Sequence, residues 1–188
     1  MYLPPARFDR RVPSRRSVLQ GLAATLAVAM VSSRSAFAGG PEPREVAFVH
    51  THTHERLSVT YFADGSYDDE SLAALNWFLR DHRSGDEHPI DPALFDILHE
   101  LRLATGAASP YQVISGYRSA RTNSLLRERS AGVASGSLHL QGRAIDVRLA
   151  DVSSAALRDA AIRLRRGGVG YYASSDFVHI DTGRVRYW

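Results

Sequence analysis

The run SLHLQGRAID, Ser137 to Asp146, sets a histidine seven positions ahead of an aspartate, with a glycine between them. A second histidine, His179, stands near the C-terminus inside DFVHID. His139, Asp146 and His179 together offer two imidazoles and a carboxylate. These are the donor types of a three-ligand zinc site whose fourth position is left to water. An ion held that way polarises a carbonyl and activates water at neutral pH, which is hydrolytic chemistry. Gly142 provides a turn where the chain could approach the ion with no side chain in the way. The segment AIDVRL that follows alternates like a strand. It directs Ile145, Val147 and Leu149 to a core and Ala144, Asp146 and Arg148 to the opposite face. An acid in that setting needs a cation or several hydrogen-bond donors. Arg148, on the same face, is the alternative partner and would make Asp146 part of a plain ion pair.

Water activated by a metal also needs a proton acceptor. Asp181 follows His179 by two and shares its strand face in a regular pleat. Asp176 precedes it by three and would reach the site only from a turn before the strand. Pleat geometry alone favours Asp181, which could equally orient a ligand. Arg118, in SGYRS, stands at an expected strand-to-helix junction, where it could bind a carboxylate or a developing oxyanion. An ordinary salt bridge is the other reading. His50, His52 and His54 alternate and are expected on one strand face, either as a second metal site or as a polar face or groove wall. His82, His88 and His99 carry no further signal.

The elements that must position these groups can be read from pattern. VAFVH and LSVTYF, within 45–62, read as a hairpin. Asp68 or Asp69 caps a helix running to about Arg83, with Leu72, Leu75, Trp77, Phe78 and Leu79 on its apolar side. Asp91-Pro92 opens a second helix, with Leu94, Ile97, Leu98 and Leu101 as its buried stripe. YQVIS is a short strand, 120–129 a helix and 130–137 a loop into the histidine stretch. Residues 153–166 form an amphipathic helix stopped by Gly167-Gly168, and VGYY, DFVHID and RVRYW close the chain as strands. Helices and strands mix without a βαβαβ rhythm, which predicts an α+β fold.

Composition narrows the chemistry. There is no cysteine, so disulfides, thiolate ligands and a thiol nucleophile are excluded, and any metal must sit on nitrogen and oxygen. The N-terminus reads as a targeting segment. Ser14-Arg15-Arg16-Ser17-Val18-Leu19-Gln20 resembles a twin-arginine export motif, with Val18 where Phe is usual. The apolar run 21–31 is short for a membrane span, and Ala36-Phe37-Ala38 resembles a cleavage site. The expected division is a signal peptide over 1–38 and one catalytic domain over 39–188, with no stable membrane insertion after cleavage. The chain carries a net charge of +3, but residues 1–38 hold six arginines and one aspartate. The remainder, with 17 arginines against 19 acids, is near −2 and gives no support to nucleic-acid binding. Every basic residue apart from histidine is arginine.

Ser137, His139, Gly142, Ala144 and Asp146 spell SxHxxGxAxD, which resembles the signature of the zinc D-alanyl-D-alanine peptidases and their murein endopeptidase relatives. SGYRS, RTNSLL, GGVGYY and FVHIDTGRVRYW make the chain more similar still to the twin-arginine-exported murein endopeptidase K group, over residues 50–188. The resemblance implies a small α+β zinc-peptidase fold with a central antiparallel sheet and flanking helices. It implies one Zn²⁺ on His139, Asp146 and His179, a general base at Asp176, a transition-state arginine at Arg118 and a substrate contact at Ser137. Many relatives carry Glu at the position of Asp176. The implied substrate is peptidoglycan, with hydrolysis of crosslinks between peptide stems, in the periplasm and as a monomer. A D,D-carboxypeptidase trimming stem peptides, and a non-catalytic zinc-containing peptidoglycan-binding domain, are the alternatives.

Overall fold

The computed structural model describes residues 42–129 and 134–188. The targeting segment, including the cleavage site at Ala38, lies outside the described residues, as does part of the 130–137 loop. The strands are β1 (Arg44–His50), β2 (Arg56–Ala63), β3 (Ser66–Tyr67), β4 (Tyr111–Ser115), β5 (Ala144–Arg148), β6 (Gly168–Tyr172), β7 (Phe177–Asp181) and β8 (Arg186–Tyr187). The helices are α1 (Asp69–Phe78), α2 (Pro92–Thr105), α3 (Ala120–Arg129) and α4 (Ser154–Leu164). One sheet joins the strands in the order β3-β2-β1-β4-β5-β7-β6-β8.

The α+β class holds, but the sheet is mixed. Its centre, β4-β5-β7-β6, is antiparallel, whereas β1 pairs with β4 and β6 with β8 in parallel. The β1–β4 pairing is parallel because the chain passes through a hairpin and two helices before returning, a crossover that two adjacent antiparallel strands do not need.

Helix ends follow the local chemistry. Asp68 accepts from Ser71 N at the start of α1, Asp91 from Ala93 N ahead of Pro92, and Ser153 from Ala156 N at the start of α4. Gly106 closes α2 in the left-handed region at φ 67°. Helix α1 stops at Phe78, short of the expected Arg83. The Leu79 carbonyl accepts from Tyr117 N at 2.8 Å, so the chain is drawn into a loop instead of another turn. Trp77 faces solvent beneath the Arg80 guanidinium rather than the core. Leu75, Phe78, Leu94, Phe95, Leu98 and Leu157 bury themselves with Phe48, Val113, Ile145, Val147, Val178 and Ile180 of the sheet. This burial is the main source of stability for the scaffold. Both faces of β5 are covered, since Ala144 and Asp146 are also buried.

Register is what builds the site. On β5 and β7, Val147 pairs with Val178 and Ile145 with Ile180, while Asp146 pairs with His179. Gly170 of β6 lies opposite His179. On the other side of β5, Val113 pairs with Val147, but an irregularity after it brings Ser115 opposite Asp146. Strict alternation would have left Ser115 on the face of Val113. The bulge re-aims it. Ser115, Asp146, His179 and Gly170 thus form one row across four strands.

Candidate metal centre

Asp146 and His179 are delivered by adjacent strands, and His139 by a single 3-10 turn, Leu138–Gln141. The His139 carbonyl accepts from Arg118 N at 3.1 Å, and the turn closes at Gly142, φ 63°. Gly142 is needed for a reason other than closeness to an ion. Its backbone is left-handed, and a Cβ there would strike the Pro89 carbonyl.

His139 Nε2 lies 3.2 Å from Asp146 Oδ1 and 3.2 Å from His179 Nδ1, and the latter two are 2.8 Å apart. Zinc bonds of about 2.0–2.1 Å in tetrahedral geometry put neighbouring donors roughly 3.3 Å apart, so the triangle has the right size. The outer partners fix the tautomers. His139 Nδ1 donates to the Gly116 carbonyl at 2.6 Å, which leaves Nε2 with a lone pair. His179 Nε2 faces Asp181 Oδ2 at 3.0 Å, which leaves Nδ1 with a lone pair. Three lone-pair donors therefore converge in a buried place, an arrangement that calls for a cation. Among the described residues this is the one group of three or more such side chains whose ligand atoms converge within 4.8 Å.

Burial and the neighbouring charges set the protonation of the three groups. Burial pushes the Asp146 carboxyl up, but His139 and His179 outweigh it and hold the group well below the usual carboxylate range. Burial lowers His139 despite the pull of Asp146. Burial also acts to lower His179, yet its hydrogen bonds to Asp146 and Asp181 raise it to about 9, so a cation at the site takes the place of the proton that Nδ1 otherwise shares with Asp146.

Arg118 is the partner that Asp146 uses, not Arg148. Arg118 Nη2 donates to Asp146 Oδ2 at 2.5 Å and its Nε to Ser115 Oγ at 2.9 Å. Arg148 turns instead to Gln112 and Asp176. A cavity of about 580 Å³ opens over the triad, with Arg118, Ser137, Tyr172 and Trp188 among its walls. Trp188 stands 5.3 Å from the His179 ring and lies across Gly170, where a Cβ would collide with the indole.

Two expected acids sit elsewhere. Asp181 is fully buried behind His179, accepting from Gly168 N, Gly183 N and both Arg186 terminal nitrogens. It holds the His179 ring through Nε2 and has no face toward the cavity. Asp181→Asn is expected to weaken metal binding by roughly 10- to 100-fold while preserving the fold, as read by a chelator competition titration. Asp176 occupies a left-handed turn position, φ 50°, and is exposed. Its carboxylate accepts from Ser154 Oγ at 2.5 Å and lies 3.7 Å from Arg148, so it is not brought to the cavity.

The histidine run also departs from expectation. Strand β1 ends at His50, and the left-handed backbone of His54 breaks the alternation. His50 and His52 instead gather with His82, whose ring stacks 4.4 Å from that of His52. Burial brings His50 and His82 each to about 4, so both are neutral at pH 7. Their nitrogens do not converge as the triad's do. Sequence reading missed Ser115, Gly116, Trp188 and the buried Asp81. Ser115 and Gly116 lay within SGYRS and Trp188 within RVRYW, but neither motif gave those residues a role, and Asp81 carried no signal.

Comparison with known proteins points the same way. The sequence profile of the family described as "Peptidoglycan L,D-endopeptidase MepK" matches residues 38–188. The Escherichia coli K12 protein named peptidoglycan L,D-endopeptidase MepK is 46% identical over 148 residues, covering 79% of this chain and 81% of that protein. The Shigella flexneri protein of the same name gives the same figures. A Haemophilus influenzae protein named probable peptidoglycan L,D-endopeptidase MepK is 39% identical over 171 residues, covering 90% of this chain and 91% of its own length.

Proposed function

The chain belongs to the peptidoglycan L,D-endopeptidase MepK family, and on that premise we propose that it is a zinc peptidase hydrolysing peptide crosslinks of peptidoglycan. The bond assigned is an L,D linkage, the carbonyl of an L-centre joined to the amine of a D-centre. The observation that carries the chemistry is the convergence of His139 Nε2, Asp146 Oδ1 and His179 Nδ1 at the floor of an open cavity.

When bound there, zinc would supply Lewis acidity for the amide carbonyl and lower the pKa of water. The chain's own residues do the rest. His139 and His179 are locked by Gly116 and Asp181, so the donors are set before substrate arrives. The Arg118 guanidinium is anchored through Nε and Nη2, and among the described residues its Nη1 has no protein partner. That N–H is the group to meet negative charge developing on the carbonyl oxygen. Ser137, on the cavity wall, contacts the peptide stem.

Among the described residues no further carboxylate lines the cavity, so the general-base role falls to Asp176 only if it leaves Ser154 and Arg148. The protein works in the periplasm as a single chain, delivered by the twin-arginine route and cut after Ala38. Support for this is the motif over 14–20 and the location of the substrate class. Among the described residues no helix is long and apolar enough to cross a membrane.

Digestion of purified sacculi tests the reading. Wild type should release muropeptides, chelator should stop release, and added zinc should restore it. With Asp176 held by Ser154 and Arg148, the proton of the attacking water passes to solvent, and Asp176→Asn is expected to act within about threefold of wild type. A dead Asp176→Asn variant with full zinc content would show that the turn rearranges to present it. No release by zinc-loaded wild type would leave a binding domain.

A further inference from the structure

We propose that Arg83 is a specificity-determining residue of this site, binding the free carboxylate carried on the carbon bonded to the scissile nitrogen. The inference deepens the peptidase reading and rests on it. Three arginines line the cavity, Arg83, Arg118 and Arg186. Arg118 is paired with Asp146 and Arg186 with Asp181. Arg83 alone of the three has no carboxylate within ion-pair distance among the described residues, and its guanidinium makes no hydrogen bond there.

The position of Arg83 is built. Asp81, almost wholly buried, accepts from Arg83 N at 3.0 Å through Oδ1. Through Oδ2 it accepts from Ser119 N at 3.0 Å and Ser119 Oγ at 2.8 Å. Ser119 directly follows Arg118. One carboxylate therefore ties the backbones of two arginines into a fixed relation. Hydrogen bonds from Thr122, Ser119 and Arg83 N overcome the cost of burying Asp81 and keep it ionised. Two cations at one cavity repel each other, and partial shielding lowers Arg83, with Asp81 opposing and Arg118 adding to the effect. An anion from the substrate relieves that repulsion.

The chemistry of the proposed bond supplies one. When the amine of a D-centre in a side chain is acylated to form a crosslink, the same carbon still bears its own carboxyl group. Hydrolysis adds water across the amide, giving a carboxylic acid on one stem and an amine on the other, and leaves that neighbouring carboxylate untouched. It is a handle for binding, not a reacting group. With Arg118 at the carbonyl oxygen, a second guanidinium at the same cavity is suited to the carboxylate beside the nitrogen, and charge-assisted N–H···O bonds recognise it.

The test uses a synthetic crosslinked peptide with that carboxylate free, and its primary amide, which keeps shape and loses charge. Wild type should prefer the free acid by about 10- to 100-fold in kcat/KM, mostly through KM. Arg83→Gln should abolish the preference by slowing the acid alone, and Arg83→Lys should restore part of it. Equal slowing of both peptides, or an undiminished preference in Arg83→Gln, overturns the proposal. If wild type cleaves neither peptide, the peptidase reading fails on its own. Calorimetric binding of the amine-side product, as acid and as amide, then judges Arg83 separately, with the same loss of discrimination expected in the variant and an unchanged ratio counting against it.

Discussion

His139→Ala is expected to lose zinc on dialysis and, with it, all measurable crosslink hydrolysis, while remaining folded. The imidazole does two things at once. Its Nε2 completes the donor triangle at 3.2 Å from both other ligands, and its Nδ1 satisfies the Gly116 carbonyl. Losing the second contact leaves one buried carbonyl unpaired, which costs about 1–3 kcal/mol. Domains of this size are stable by about 5–15 kcal/mol, so the fold survives. Losing the first removes a ligand outright, a larger change than the roughly 10- to 100-fold expected for an outer partner such as Asp181. Metal content after dialysis, a melting curve and the rate on sacculi separate the two effects. Retention of one zinc per chain by the variant would remove His139 from the ligand set.

Arg118→Gln is expected to lower kcat by about 10²- to 10³-fold with zinc still bound, the scale seen when one oxyanion donor is removed. The effect should fall equally on kcat and kcat/KM, because the interaction is made in the transition state. Arg118→Lys should recover little. The fork that reaches Ser115, Asp146 and substrate together is planar, and an ammonium cannot reproduce it. The competing view holds that Arg118 serves only to neutralise Asp146. It predicts a weakened metal site and an unchanged rate per bound zinc. The two are told apart by normalising activity to metal content.

The converging side chains were legible because each is an unusual residue in its local pattern. Asp146 interrupts an apolar strand, and His179 sits in another. Helix starts were legible for the same reason, since a capping aspartate or serine ahead of an apolar stripe has few other uses. What could not be read depends on contacts between distant segments. The end of α1 is set by Tyr117 N on the Leu79 carbonyl, across 38 positions of chain. Asp176 is drawn from the cavity by Ser154, 22 residues earlier, through a left-handed turn that simple alternation does not describe. Asp181 does share a face with His179, as the pleat requires. Periodicity does not say which ring nitrogen it holds, so a positioning acid reads the same as a base. Ser115 enters the site only through a bulge. Asp81 and Arg83 follow an apolar helix in the run RDHR and look like solvated loop residues until Ser119 is placed against them.

Zinc K-edge X-ray absorption on the purified, active protein addresses the triad itself. A single zinc per chain, with two imidazole nitrogens and at least one oxygen at about 2.0–2.2 Å, is the expected spectrum. Full crosslink-cleaving activity in protein whose zinc edge is absent, or a first shell without imidazole, would contradict the assignment of His139, Asp146 and His179 as the metal's ligands.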